Sequence, residues 1–545
     1  MAKTKVDKAA KRESKFIAEE FRLQKIQLSS EVAGGGAWHS MNLRGIFTNI
    51  TITENLLEPV LKIRVTVVDA QGFMESFPVI GDEVIEVSFS NDASITTTDD
   101  IIVSRFRVYD IQVNPSDRGF GEYTLYGVSE EYILSMQKRV SRRYTGLNSD
   151  SVKNIVKKYL GYGRGQNQKD LFVEQTKVTQ SIMIPNWTPF EAISFLASRS
   201  MSATVDEIET DAPEQYYTAS GSFYVFYEKL NEGWRFESIE SMITKQRDND
   251  KIFYFYAPRS VDRSVHDNAS GMHGVEKFEV LKTFDTMRNL GRGLYASRLI
   301  AYDPIRMKYD VVKYDYFQDV SASSSDGNYK FHNFVTMDKK ENKEHKLTGV
   351  YSDLLGHHTA MTKLATTTKN HDSMFAPPFG GAGAAGQMPT TSIGVSDTTF
   401  SDSEAKSNHV EDWMLQRNAQ EQEFDNIRVK ISVAGNASRH VGDLIYFDMP
   451  TYLPHKDAPA ARHQLYGGYY MISKIDHIVT QTRYTMDMEM VKNSLLVDLP
   501  GNTDVYDSGI EVIQEGLDEM GRKGGKTGSK AMRNPDGSIR IVGGL

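Results

Sequence analysis

The 545-residue chain contains no cysteine. That excludes disulfides, thiolate zinc centres and thiol nucleophiles together, and suits a protein built in a reducing cytoplasm whose stability comes from packing or assembly. Long apolar runs are also missing. No stretch approaches the roughly 18 to 20 residues that span a bilayer, so no membrane segment is expected. The first residues, MAKTKVDKAAKRESKF, are charged throughout. They lack the apolar core of about 7 to 15 residues that a secretory leader needs, which argues against that route of export. A cationic surplus is absent as well: Lys and Arg number 63 against 72 for Asp and Glu, a net charge of −9. This argues against a surface devoted to gripping nucleic acid. The catalytic signatures G-x-S-x-G, H-E-x-x-H and the P-loop do not occur.

What is present is a long chain of ordinary soluble composition, 39% apolar and 25% charged, enough for three or four domains at roughly 150 residues each. Its basic residues gather at the ends: Lys3, Lys5, Lys8, Lys11 and Arg12 in a 1–20 arm, and Arg522, Lys523, Lys526, Lys530, Arg533 and Arg540 in a 500–545 extension. Such ends are solvated tails or arms that dock on an acidic neighbour. Residues 21–145 read as strands, because Leu61, Ile63, Val65 and Val67 alternate with Lys62, Arg64 and Thr66, the period-2 pattern of a half-buried antiparallel sheet. The stretch Asn114–Gly119 is a natural hairpin loop.

From 146 to 260 the pattern becomes α/β. Val152, Ile155, Val156, Tyr159 and Leu160 follow helical spacing after a cap at Asn148 or Ser149. A second helix start is sharper: Thr188 at the N-cap, Pro189 at the first helical position and Glu191 three residues after the cap form a capping box. Residues 261–379 read as a further strand-rich domain. Residues 380–403, rich in Gly, Ser and Thr, read as an exposed loop. A short helix around Val410, Trp413 and Met414 then leads into strands within 404–499.

That last region echoes the first. Gly81-Asp82 is followed by Val108-Tyr109-Asp110-Ile111, a hairpin and Tyr123-Thr124-Leu125; Gly442-Asp443 is followed by Ile472-Ser473-Lys474-Ile475, a hairpin and Tyr484-Thr485-Met486. Apart from one extra residue, Glu83, and a few in the loops, order and spacing match. Two related β-barrels in one chain explain this; the other explanation is that Gly-Asp before a strand is common turn chemistry. The expected fold class is α+β, predominantly antiparallel β, with two β-barrel domains and inserted α/β domains.

Other candidate chemistry is weak. Gly291-Arg292-Gly293-Leu294-Tyr295-Ala296 fits G-x-G-x-x-A, but without the preceding strand and following helix of a dinucleotide cradle it reads as a turn feeding SRLIAY. His357, His358, His371 and Asp372 match no zinc spacing and read as solvated groups. No catalytic, metal-binding or cofactor-binding residue is assigned; Gly81, Asp82, Gly442, Asp443, Thr188, Pro189 and Glu191 are structural.

The segments NITITENLLEPVLKIRVTVVDAQGFMESFPVIGDEVIEVSF, IPNWTPFEAISFLASRS, SGSFYVFYEKLNEGWRFESIESM, VAGNASRHVGDLIYFDMP and GGYYMISKIDHIV, in that order, resemble the baseplate hub proteins of contractile-tailed bacteriophages and the hub part of type VI secretion spike proteins. The resemblance covers most of residues 21–495. It implies barrels similar to tail-tube subunits, no cofactor and no catalysis. It further implies a homotrimer that adapts a hexameric tail tube to a threefold central spike and lines part of the DNA conduit, located in the virion tail baseplate after assembly in the host cytoplasm. The partners it implies are the spike protein, a tail-tube or tube-initiator protein, baseplate wedge proteins and the tape measure protein, without sequence-specific nucleic-acid binding. No spike or lysozyme segment is evident, which assigns those functions to a partner. The alternative is a carbohydrate-processing or carbohydrate-binding baseplate protein, which needs convergent carboxylates or an aromatic groove.

Overall fold

In the computed structural model, the described residues are 21–31, 38–69, 79–90, 101–115, 121–161, 169–203 apart from 178, 222–247, 253–256, 274–294 apart from 284, 296–303, 308–315, 358–362, 410–449, 465–493, the hairpin 530–533 with 539–542, and the single positions 72, 77 and 463. The expected arm 1–20, the loop 380–403 and most of 500–545 lie outside them.

The first copy contains β1 (Arg22–Ser30), β2 (His39–Asn42), β3 (Phe47–Asn55), β4 (Lys62–Asp69), β5 (Val84–Ser90), β6 (Ile101–Pro115) and β7 (Gly121–Ser129). In β4 the Ile63, Val65 and Val67 side chains are buried while Lys62 and Arg64 are exposed, so strict alternation fixes which face packs inward. The pairing order is β3-β4-β7-β6-β5-β1-β2.

An inserted α/β unit follows, with helices Glu130–Gln137, Asn148–Tyr159 and Pro189–Ala197 and strands β8 (Val140–Leu147), β9 (Leu171–Val173), β10 (Thr179–Trp187), β11 (Tyr224–Lys229) and β12 (Gly233–Ser238). β8 pairs with β10, and β9 lies parallel to β12 beside β11. The apolar helix faces, including Val152, Ile155, Ile193 and Leu196, close a second core with Phe190, Trp234 and Phe236. The helix from Asn148 carries no side-chain cap at its start. The Asn148 amide reaches instead to the Arg199 carbonyl at 3.3 Å and the Ser200 hydroxyl at 3.2 Å, so packing against the next helix outcompetes local capping.

Beyond the helix Ile239–Arg247 come β13 (Phe253–Tyr256), β14 (Val275–Thr283), and a small sheet of β15 (Ala296–Asp303), β16 (Lys308–Asp315) and β17 (His358–Thr362). The helix of 410–424 is longer than its short apolar signal suggests. The second copy is completed by β18 (Ile427–Ala434), β19 (Leu444–Asp448), β20 (Gly468–Thr480) and β21 (Tyr484–Lys492).

The second copy pairs in the order β14-β18-β21-β20-β19, which reproduces β3-β4-β7-β6-β5 strand for strand. The match extends to irregularities. β6 bulges between Val108 and Asp110 against β7, and β20 bulges between Ile472 and Lys474 against β21. A bulge re-aims a strand at one defined residue, so a shared one anchors the correspondence of Val108 with Ile472. From that anchor Tyr123 corresponds to Met486, and the Tyr-Thr-apolar echo is out of step by two residues. An even shift keeps every side chain on its own face.

The copies differ at their outer flank, where β5 pairs antiparallel with β1 while β19 pairs parallel with β13. Closure of either copy into a barrel is not seen among the described residues. Both belong to one 13-stranded sheet, predominantly antiparallel, and one apolar core runs through it.

Candidate functional site at the junction of the two copies

The copies meet where β3 pairs antiparallel with β20, from Asn49 opposite Thr480 to Asn55 opposite Lys474. The Thr53 hydroxyl donates to the Asp476 carboxylate at 2.6 Å across this ladder. Leu56 N–H donates to the Ser473 carbonyl, the bulged position of β20, at 2.9 Å.

Glu54 lies at the centre, fully buried. Its carboxylate accepts from Leu230 N–H at 3.2 Å and Val441 N–H at 3.3 Å, and faces His440 Nδ1 at 3.3 Å and His477 Nε2 at 3.4 Å. Burial alone would push this carboxyl up; the His440 charge and hydrogen bonds from both imidazoles outweigh it and hold the group well below the usual carboxylate range. For His440 the converse holds: burial would lower the imidazole, and the Glu54 carboxylate raises it. The second nitrogen of His477 meets the Tyr484 hydroxyl at 2.8 Å, and the Tyr484 ring packs edge-on against Phe89 of the first copy with centroids 5.3 Å apart.

The inserted unit wedges into this junction through consecutive residues. Glu228 accepts from the Ser129 hydroxyl at 2.8 Å and Leu61 N–H at 3.3 Å, both in the first copy. Its other oxygen pairs with Lys169 at 2.6 Å, and Lys169 also reaches Glu131. Lys229 turns to the second copy and meets Asp443 at 3.4 Å. Leu230 supplies the N–H to Glu54. One strand end thus holds both copies.

Of the two Gly-Asp turns, Gly442-Asp443 borders the site, next to His440 and Val441, and Gly81-Asp82 precedes β5 in the first copy. Gly81 and Gly442 have φ of +100° and +85°, a region where a side chain is strained. Asp443 folds back to accept from His440 N–H at 3.0 Å. In the first copy that service falls to Glu83, which accepts from Ile80 N–H at 2.9 Å. The next links agree: Val108 N–H donates to the Glu83 carbonyl, and Ile472 N–H to that of Asp443. The structural counterpart of Asp443 is therefore Glu83, and Asp82 is an exposed partner of Arg107. Thr188, Pro189 and Glu191 stand apart from the junction. The Thr188 hydroxyl accepts from Glu191 N–H and the Glu191 carboxylate from Thr188 N–H, with Pro189 at the first helical position.

A carboxylate, two imidazoles and a phenol are the ingredients of a proton relay, yet Glu54, His477 and Tyr484 are fully buried and His440 nearly so. The array acts as a clamp. A cleft of about 520 Å³ opens nearby, lined by Phe21, Arg22, Arg44, Phe47, Gln481 and neighbours, with no carboxylate among its walls. Among the described residues no cluster of metal-ligating side chains occurs. Gly291 and Gly293 sit between a helix end and β15, the reverse of a dinucleotide cradle, and His358 lies in β17 while His357, His371 and Asp372 are outside the described residues.

The chain is similar in structure to solved tail proteins. One, the tail protein from Neisseria meningitidis, aligns over 86% of this chain and 96% of its own at 10% identity and a TM-score of 0.44. The 43 kDa tail protein of prophage MuSo2 from Shewanella oneidensis aligns over 86% and 98% at 8% identity and a TM-score of 0.41. A type VI secretion component from E. coli, described as structurally similar to bacteriophage T4 tail proteins, aligns over 87% and 77% at 8% identity and a TM-score of 0.33. No family model matches the sequence, and no curated protein matches it.

Glu54 and His477 escaped the reading of the sequence, although both left a signal. Glu54 continues the face of Ile50 and Ile52, and His477 that of Ile475 and Val479. An ionisable residue in register with buried aliphatics is the mark of a buried polar contact.

Proposed function

We propose that this chain is a structural tail protein whose three copies form a baseplate hub, adapting a hexameric tail tube to a threefold spike. The observation that carries the reading is the duplicated strand order joined edge to edge in one sheet. A protein with two like modules per chain presents six from three copies, and keeps threefold symmetry wherever the modules differ. The differing flanks, β1 on one copy and β13 on the other, supply that difference.

The proposed partners are the spike, a tube or tube-initiator protein, wedge proteins and the tape measure. The proposed location is the virion baseplate, reached after assembly in the host cytoplasm. Catalysis has no place in this reading, because the acid–base groups at the junction are sealed. Three chains carry 3 × (−9) = −27 formal charges, which suits a conduit that lets DNA pass, since each phosphate contact would retard it. The test is mass measurement and electron microscopy of the purified chain, alone and with the spike. A closed threefold particle is expected; a monomer under both conditions, or a lumen dominated by Lys and Arg, would overturn the proposal.

A further inference from the structure

The correspondence between the copies exposes an unfilled position. β20 has β21 on one side and, along residues 474–480, β3 on the other. Its counterpart β6 has β7 on one side, but β5 covers only its first half, residues 101–107. From Tyr109 onward the second side of β6 has no strand among the described residues. Tyr109 and Val113 are 54% and 52% exposed, whereas His477, the counterpart of Val113, is fully buried. The Ile111 N–H is taken up by the neighbouring Asp110 carboxylate at 2.9 Å, a local substitute for a ladder bond.

The matching half of the junction is also present, with no strand on its outer side among the described residues. β14 is the counterpart of β3 and, among the described residues, ends the sheet with β18 as its one partner. Leu281 on it is 42% exposed. One chain therefore carries both halves of a joint it already makes internally, and the two free halves lie on different copies. Free edges of this kind invite pairing with another chain.

We infer that β14 of one chain adds antiparallel to residues 109–114 of β6 in the next, repeating the β3–β20 joint between subunits. The partner is a second copy of this chain, and the pairing rests on the ring reading for the number of copies that close it. The register follows from the internal joint. Ile63 and Val429 occupy matching places, opposite Ile52 and Val280 respectively, and His477 lies opposite Ile52. Val113 is thereby placed opposite Val280, and Asn114 opposite Glu279. The contact is heterologous, so successive joints propagate in one direction until the ring closes.

The absence of cysteine makes the test direct. Val113→Cys and Val280→Cys are introduced together, and the protein is treated with an oxidant or a short bifunctional thiol-reactive reagent such as a bis-maleimide. Directly opposed Cβ atoms lie about 4.5–5.5 Å apart, within reach. The expected result is a ladder on a denaturing gel that ends at three chains, with no ladder from either single variant. Val103→Cys with Val280→Cys is the control, since Val103 is equally exposed but sits where β5 already pairs; it should give none. Hydrogen exchange of unmodified protein supplies a second measure: amides of 109–114 should gain protection as concentration rises.

A trimer by mass that shows neither the in-register ladder nor added protection overturns the edge pairing and leaves the threefold reading standing. A ladder that closes at another number supports the edge pairing and sinks the threefold reading. A monomer with no ladder, even beside the spike, overturns both.

Discussion

Replacing Glu54 by Gln removes the charge at the centre of the junction while preserving its shape. The change leaves the protonated His440 buried without its counter-ion and turns an amide NH2 toward groups that the carboxylate served as acceptor. Loss of one partner from a buried ion pair costs about 3–5 kcal/mol, and each charge-assisted hydrogen bond is worth about 1.5–3 kcal/mol net. A loss of roughly 3–5 kcal/mol at pH 6 is expected, with overlapping terms not summed. The pH dependence carries a sign. The Glu54 pKa is lowered, so its stabilisation is present above about pH 4.3, the unfolded carboxyl value, and fades as pH falls toward the folded one. The His440 pKa is raised, so its share is complete below about 6.5, the unfolded imidazole value, and fades as pH rises through the folded value. The gap between wild type and Glu54→Gln should therefore be widest between about pH 5 and 6.5 and narrow on both sides. Urea unfolding across that range, followed by fluorescence, measures it. Equal midpoints at pH 6, or a gap that widens toward pH 9, would refute the clamp.

Other perturbations act elsewhere. Thr188→Ala should cost about 1 kcal/mol through the lost cap without altering assembly mass. Lys492 is fully buried, donates to the Gly467 carbonyl at 2.8 Å, and is pushed down to about 7 by burial. Unfolding there takes up a proton, so stability should climb by about 1.4 kcal/mol per pH unit above pH 7 until the unfolded value near 10.4. Lys492→Met should flatten that climb and raise the unfolding midpoint at pH 6; an unchanged slope would discount the buried lysine. Gly435→Ala would place a Cβ 2.2 Å from the Tyr484 ring, and overpacking of that kind costs about 1–3 kcal/mol, readable as a lower melting temperature.

The strands of both copies were legible because their alternation is local: β4 and β18 bury every second residue. The cap at Thr188 was legible for the same reason, since its parts lie within four positions. The bulges were not, because a bulge is a property of pairing and neither Tyr109 nor Ser473 marks itself. The exchange of roles between Asp82 and Glu83 stayed hidden since adjacent acids look alike until backbone partners are known. The clamp was hardest to read: Glu54 and His477 stand 423 positions apart, and only folding makes them neighbours. The helix at 410–424 reads as shorter because its buried apolar residues among those described, Leu415, Ala419 and Phe424, are spaced along a polar sequence.

The Glu54 clamp has no twin. The position matching Glu54 on β14 is Thr283, and the one matching His477 on β6 is Val113. A joint built there would have the same ladder without the buried charges, and so would yield first. Assemblies made of unequal seams come apart along the weaker one: dilution, heat or mild denaturant would release whole chains with their two copies still fastened. Rebuilding would then start from folded chains, with the neutral seam as the last and most reversible step.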